Sequence, residues 1–458
     1  TEWGYALLKC DGNNGANNNT IINCSITLNK TNTATRAIYS GNHTAASTTG
    51  LTYTGLAGDP AEVNASRNGN NTFYGNAIQN SYGAISLNGN SATSSGVSLN
   101  DTLNAIGVIG QAANVITNFG GAATVCTVVA STNQRGITID NNTITGGTGT
   151  TTTLTGINPG SGSWGKIRDN QLNLVTSATT STITGIAISF SGGDLTNPNI
   201  VMVTGNTVTM SSTTQTTGAA TGITCTASGT GAQITVRSNT VSGCTFTGTT
   251  SGAFNGITQT HSSASTVNDV SKNTVSSNNR PGTGQFMGIM SFSGNAPTLS
   301  TLSMDSNTVS LNTKGSTGSM FCIYNGVTVS ASLTMTQNGN TVNGNVITGG
   351  TLACTLVGIT AQATNFTMNG NTVTNNSVTA VTGTGAGNVL AIQSSGAGTA
   401  TSAITNNTVT GVTLGGVSSG ASLVRGILAT SATTDNRTIS GNVISGVSTS
   451  NATSATCI

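Results

Sequence analysis

KNTVSS at residues 272–277 and SNTVSL at residues 306–311 are two copies of one pattern: an asparagine, a threonine and then a β-branched apolar residue. Asn followed by Thr or Val and then Val or Ile stands at Asn114, Asn142, Asn206, Asn239, Asn273, Asn307, Asn345, Asn371, Asn407 and Asn442. A degenerate NQL sits at Asn170 and a second NTV at Asn340. From Asn206, the steps to Asn239, Asn273 and Asn307 are 33, 34 and 34 residues by subtraction. A fixed period of this size is the signature of a stacked repeat.

A second column runs out of phase with the first. It comprises Gly136-Ile137, Gly185-Ile186, Gly222-Ile223, Gly256-Ile257, Gly288-Ile289, Cys322-Ile323, Gly358-Ile359, Ala391-Ile392 and Gly426-Ile427. The Ser/Thr/Gly stretches between the columns vary in length, so what repeats is a pair of strand positions joined by elastic loops. Within TLSMDSNTVS (residues 301–310), Leu302 and Met304 alternate with polar residues, Asp305-Ser306-Asn307 interrupts, and Val309 resumes. Period-2 alternation reads as strand. The interruption reads as a bend, with asparagine expected to take the left-handed backbone conformation there.

Helical solenoids of similar period need long Ala/Leu/Glu-rich segments, and none is present. The expected fold class is therefore all-β: a right-handed parallel β-helix (solenoid) with three short strands and about 34 residues per coil. Its length corresponds to roughly 13 coils, a rod on the order of 60 Å long at strand spacing. Stacked at one bend, Asn142, Asn206, Asn239, Asn273, Asn307, Asn345, Asn371, Asn407 and Asn442 are expected to form a ladder of amide hydrogen bonds. Ile186, Ile223, Ile257, Ile289, Ile323, Ile359, Ile392 and Ile427 are expected to form one inward column. Residues 1–105 depart from the period and read as irregular early coils or an N-terminal cap continuous with the solenoid; residues 106–458 are the regular repeats.

Composition agrees. Only 5% of the 458 residues are charged, 35% are apolar and the net charge is +2. Ser, Thr and Asn supply roughly 40%, far above ordinary usage. Disordered chains pair low hydrophobicity with high net charge, which is not the case here. Like charges stacked coil upon coil would repel, so a solenoid favours Thr and Ser on its surface. Near-zero charge offers no basic stripe, so no nucleic-acid partner is expected. No apolar run approaches the roughly 18 residues of a membrane span, so no membrane insertion is expected. TEWGYALLKC at residues 1–10 lacks a charged leader segment, and the chain is expected to be a mature, soluble product. The cysteines (Cys10, Cys24, Cys126, Cys225, Cys244, Cys322, Cys354, Cys457) lack metal-binding spacing and read first as buried thiols. The alternative is one or two disulfides, Cys225 with Cys244 or Cys10 with Cys24 being nearest in sequence.

The chain resembles right-handed parallel β-helix repeat proteins, especially large secreted or surface proteins of Bacteroidota-type bacteria. The resemblance is carried by NNTIINCSITLNKTNT (residues 18–33), VITNFGG (115–121), NNTITGGTGTTTTLTGI (141–157) and the later GNTV copies. It implies an extracellular or cell-surface location more strongly than an activity. Such scaffolds also host polysaccharide lyases and hydrolases that work with clustered carboxylates.

The best polar cluster is Asp140, Trp164, Lys166, Arg168 and Asp169. In repeat phase Arg168 stacks over Asp140 with Asp169 beside them, and Trp164 and Lys166 lie just upstream. It reads chiefly as an exposed ion pair, and secondly as a carbohydrate-binding or catalytic site. Asp269 and Asp305 near Lys272 read as solvated groups, and Asp59 with Glu62 as a turn. His43 and His261 are too far apart in phase to cooperate. No metal site, cofactor or catalytic residue is expected.

The leading functional expectation is a non-enzymatic extracellular structural or adhesive β-solenoid: a stalk, coat or fibre subunit. The alternative is a polysaccharide-binding or polysaccharide-degrading β-helix, with surface polysaccharide as partner. Ice or mineral binding through threonine arrays, prompted by TGTTTT at residues 148–153, ranks last because no regular Thr-x-Thr column is visible. Cys457-Ile458 falls in the isoleucine column, so association along the axis is expected, with further coils of a longer parent chain or with a second copy end to end.

Overall fold

Phe254–His261 forms the first leg of one coil, Val267–Ser271 the second, and Thr274–Ser276 with Asn279–Arg280 the third, divided by a bend at Ser277 and Asn278. Each leg pairs in parallel with the same leg one coil on: Ile257 with Ile289, Asn268 with Leu302, Thr274 with Thr308 and Asn279 with Thr313. Repetition of this unit makes a parallel β-helix of about 12 turns, about 34 residues per turn, with 2% helix. The computed structural model describes residues 2–191, 199–229, 231–248, 251–261, 267–293, 300–315, 317–327, 333–349, 353–363, 365–383, 386–395, 401–418, 422–430 and 436–450. The expected place of Cys457-Ile458 lies outside these residues. Among them no helix is long and apolar enough to cross a membrane.

The core is one continuous apolar column, and the two sequence columns face each other across it. Ile186, Ile223, Ile257, Ile289, Ile323, Ile359 and Ile392 are fully buried and Ile427 nearly so, each opposite the next in the strand register. A glycine before six of the eight isoleucines permits this closeness, Cys322 and Ala391 standing before Ile323 and Ile392. A Cβ on Gly222 would stand 2.5 Å from the carbonyl oxygen of Gly256 and 2.7 Å from both γ-methyls of Val241, the valine of an Asn-Thr-Val copy on the third leg. The motif glycine is thus favoured by packing rather than by a special dihedral. Gly136-Ile137 does not belong to this column. Ile137 lies on the second leg opposite Gly165, and the column continues upstream through Ile157, Val129, Ile85 and Ile38. Its Gly-Ile spelling matched, but two legs run without a loop through Cys126–Asp140, which shifts its phase.

The asparagine ladder is continuous. Nδ2 of Asn206 donates to Oδ1 of Asn239 at 2.9 Å and to the Ile167 carbonyl at 2.8 Å, while its own Oδ1 accepts from the backbone N–H and Nδ2 of Asn170. Two donors and two acceptor sites are all satisfied, which is what permits full burial of a polar amide. The chain of bonds runs Asn76, Asn114, Asn142, Asn170, Asn206, Asn239, Asn273, Asn307, Asn340, Asn371, Asn407 and Asn442.

Two expectations are corrected here. Asn345 is not in this ladder; Asn340 takes its place. Asn345 belongs to a second ladder, Asn278–Asn312–Asn345–Asn376, at the bend that divides the third leg. Nor does the ladder asparagine adopt the left-handed conformation. The residue before it does: Gly205, Ser238, Lys272, Ser306, Gly339, Gly370 and Asn406 all have φ between 53° and 70°. The ladder residue must keep an extended backbone so that its N–H and side chain both face the next coil.

Residues 1–105 form the first coils, widened by excursions between the first and second legs. One of these carries the helix Pro60–Ala65, whose N-cap is Asp59, accepting from the N–H groups of Ala61 and Glu62. Cys126, Cys225, Cys244, Cys322 and Cys354 are buried free thiols, and Cys10 and Cys24 are also free, so neither expected disulfide forms. Burial pushes the Cys126, Cys225 and Cys244 thiols up to about 12, which keeps them protonated and inert.

Candidate functional site

The expected Asp140–Arg168 stack is present. The two residues are opposite in the register, Arg168 Nε donates to Asp140 Oδ1 at 3.1 Å, and Nη2 to Oδ2 at 2.5 Å. The pair is not the exposed one expected, because Asp140 is buried and Arg168 half-buried. Burial raises the Asp140 carboxyl above the ordinary carboxylate range, with the Arg168 fork opposing it. The same fork raises Arg168. Because the fork engages both Asp140 oxygens, the group is poorly placed to act as a base. Asp169 is exposed at the bend, its carboxylate against Gly205. Lys166 lies opposite Thr138 and Met202, two residues from Arg168 on the strand. The Trp164 ring instead covers Gly136, leaving no room there for a Cβ, and the Trp164 backbone N–H donates to Asn199 Oδ1 at 2.8 Å. The geometry is that of a tied-down corner.

The other candidates are likewise engaged locally. Asp305 accepts from Ser303, Thr336 and the Asn338 N–H, and Asp269 faces Arg237 at 3.9 Å. Glu62 accepts from the Leu56 N–H. His43 bonds Tyr39 Oη and the Thr44 carbonyl beneath a stacked Trp3–Tyr39 pair; the His261 side chain lies outside what is described. Among the described residues no three His, Cys, Asp or Glu side chains converge as a metal site requires.

Sequence reasoning missed the interior charges. Arg280 is 1% exposed and bonded to Gln215 Oε1 and the carbonyls of Gly218 and Gly252, its guanidinium 4.6 Å from the Phe246 ring centre. Lys314, directly opposite Arg280 in the next coil, is fully buried and donates to the carbonyls of Gly282, Gly315 and Thr317. Burial lowers Arg280 to about 10 and Lys314 to about 8. A signal existed: each stands two residues after an asparagine of the second ladder.

Asp101 is a buried carboxyl near the N-terminal end of the rod, fully enclosed. It accepts from the Asn68 N–H at 2.9 Å in a short N-terminal ladder, but its Oδ2 has no hydrogen-bond partner. Burial pushes this carboxyl up to about 7, against the opposing pull of the Asn68 bond, Lys9 and Arg67. An acid raised from 3.8 to about 7 binds its proton in the folded state when the unfolded chain has released it, so stability falls as pH rises between these values and is level above them. Asp101→Asn should therefore remove that fall and raise stability at pH 8 by up to about 4 kcal/mol. Urea unfolding of both forms between pH 4 and 8 checks this; identical pH profiles would refute it.

The most regular surface lies on the third leg. Thr207, Thr240, Thr274, Thr308, Thr341, Thr372 and Thr408 lie successively opposite one another and point outward. Two residues on, a second outward column reads Thr209, Ser242, Ser276, Ser310, Asn343, Thr374 and Thr410. The valine between them is fully buried in each coil. A regular Thr-x-Thr column is thus absent, as expected, since the second position is threonine only at Thr209, Thr374 and Thr410, but the first position is uniformly threonine, an alignment that loops of unequal length conceal. The expectation had looked to TGTTTT, which forms a corner loop instead. Upstream, Thr143, Thr145, Gln171 and Asn173 join Thr207 and Thr209 around a shallow groove. The only cations of this leg among the described residues, Arg280 and Lys314, point inward, so its outer face carries no charge.

The other faces are mixed. Outward on the second leg stand Met202, Arg237 and Asp269, and on the first Asn255, Met287, Phe321 and Arg425. Strand propensity acts on all three legs alike, so it does not account for uniformity on one. Comparisons with protein-family models, with curated proteins and with solved structures returned no match.

Proposed function

We propose that the chain is a non-catalytic, extracellular structural or adhesive β-solenoid whose threonine face is its contact surface. The observation that carries this reading is the in-register, uncharged column from Thr207 to Thr408 on a sheet backed by a continuous core. A face backed by a continuous core and ordered over many coils suits contact with an extended surface rather than a small molecule, because rigidity lowers the ordering cost of each weak contact. A secreted or surface location, as in the Bacteroidota-type proteins the chain resembles, belongs to the same reading. So does association along the axis, with further coils of a longer parent chain or with a second copy end to end. The polysaccharide-degrading alternative gains no support from Asp140, whose oxygens are engaged by Arg168.

The test is retention on solids. Purified protein is incubated with crystalline cellulose, chitin, hydroxyapatite and ice, and compared with a Thr274→Lys/Thr341→Lys variant whose fold is verified by circular dichroism. The wild type should be retained by at least one solid, and the variant should not. Turnover of a polysaccharide that vanishes in Asp140→Asn would instead promote the enzymatic alternative.

A further inference from the structure

The pairing register gives the threonine face regular repeat distances, and its chemistry narrows what such a face can contact. Adjacent coils repeat at about 4.8 Å, and successive outward residues of one strand at about 6.6 Å, so the face is a two-dimensional grid: a hydroxyl and a methyl at every position of the first column, and small polar Thr, Ser or Asn side chains in the second. Threonine's restricted χ1 holds each pair of groups in a fixed orientation. Neighbouring coils add order: Thr209 Oγ1 donates to the Ser242 carbonyl at 2.9 Å, and Thr374 Oγ1 to Asn343 Oδ1 at 3.0 Å.

A mineral surface presents ions and calls for charged ligands, which this face lacks. A crystalline polysaccharide presents sugar rings, which are gripped by aromatic side chains with a large apolar face and a polar handle; the columns from Thr207 to Thr410 contain none. What remains is a solid that is itself an uncharged array of hydrogen-bond donors and acceptors. We infer that the third-leg face binds ice, its hydroxyls entering the lattice of water molecules while the methyls shelter water held between the columns. Charge placement agrees: the cations of this leg are turned into the core, at a desolvation cost, rather than onto the grid.

This inference rests on the threonine face being a contact surface, and the experiment separates the two. Ice is grown slowly from a solution of the full chain on a cold finger, and protein in the ice is compared with protein left in solution. Thr274→Lys/Thr341→Lys interrupts the centre of the grid, and Thr367→Lys places the same charge on the second leg as a control. Circular dichroism and thermal melting verify all three proteins. The wild type and Thr367→Lys should enter the ice and shape its crystals, and the double variant should enter about tenfold less, as loss of a central contact does at other interfaces. Exclusion of the wild type from ice overturns the inference. If the excluded protein is still retained by cellulose, chitin or hydroxyapatite through the same face, the contact-surface reading stands and ice is the wrong lattice; if no solid retains it, both fall.

Discussion

Ile289→Asp is expected to prevent the solenoid from folding. Ile289 is fully buried, with Ile257 on one side and Ile323 on the other, and the interior around it is apolar. An aspartate there loses about 2 to 3 kcal/mol of apolar burial and must also enter unpaired or protonate, each at a cost of several kcal/mol. The sum is comparable to the whole stability of an ordinary domain. In a solenoid the damage is not local, because each coil is held by the coil on either side. Ile289→Val serves as the control and should cost only about 1 kcal/mol. Circular dichroism and limited proteolysis decide the matter: the valine form should melt as a slightly weakened rod, and the aspartate form should show no cooperative transition. An aspartate variant with a wild-type midpoint would mean that the isoleucine column is not the core.

That column was legible because it uses one residue type at one phase, and the Asp140–Arg168 pair because both residues keep a fixed offset from the ladder asparagine. Other features failed for definite reasons. Asn340-Thr-Val and Asn345-Val-Ile both fit the pattern, and both truly are bends. Only the bonds from Asn307 to Asn340 and from Asn312 to Asn345 assign each to its ladder. The left-handed position before the ladder asparagines other than Asn114 is filled by Gly, Ser, Lys, Asp or Asn, so residue type alone carries little signal. Asp101 was missed as a buried charge because it occupies an asparagine's place in a short ladder formed across widened coils. The threonine grid was obscured by the loops. A column of identical outward residues is visible only once unequal connections have been removed, which the strand register does and the linear sequence does not.

The ladder should rank next after the isoleucine column in sensitivity. In Asn273→Ala, the N–H and one Nδ2 hydrogen of Asn239 lose their acceptor, and the Val236 carbonyl loses its donor, all in a buried bend. Each orphaned donor costs about 1–3 kcal/mol, so a loss of about 4 kcal/mol is expected. Asn279 provides the comparison. It lies six residues on, is exposed, and its replacement by alanine should change stability by no more than about 0.5 kcal/mol. Asn273→Asp isolates the hydrogen-bond argument from packing, because it keeps the shape and removes only the donor. A carboxylate there would face the Val236 carbonyl and Asn307 Oδ1, both acceptors, so the folded protein should hold the group protonated at pH values where the unfolded chain releases its proton. With the folded pKa raised above the unfolded one, the variant should be nearest to wild type below about pH 4 and lose stability as pH rises beyond it. Asn273→Ala, with nothing to titrate, should fall short of wild type by the same amount across that range. Urea midpoints of the three proteins at pH 3.5, 5 and 7 separate these outcomes. If the alanine variant matches Asn279→Ala, or the aspartate variant shows no added pH dependence, the stacked amides do not hold the coils together.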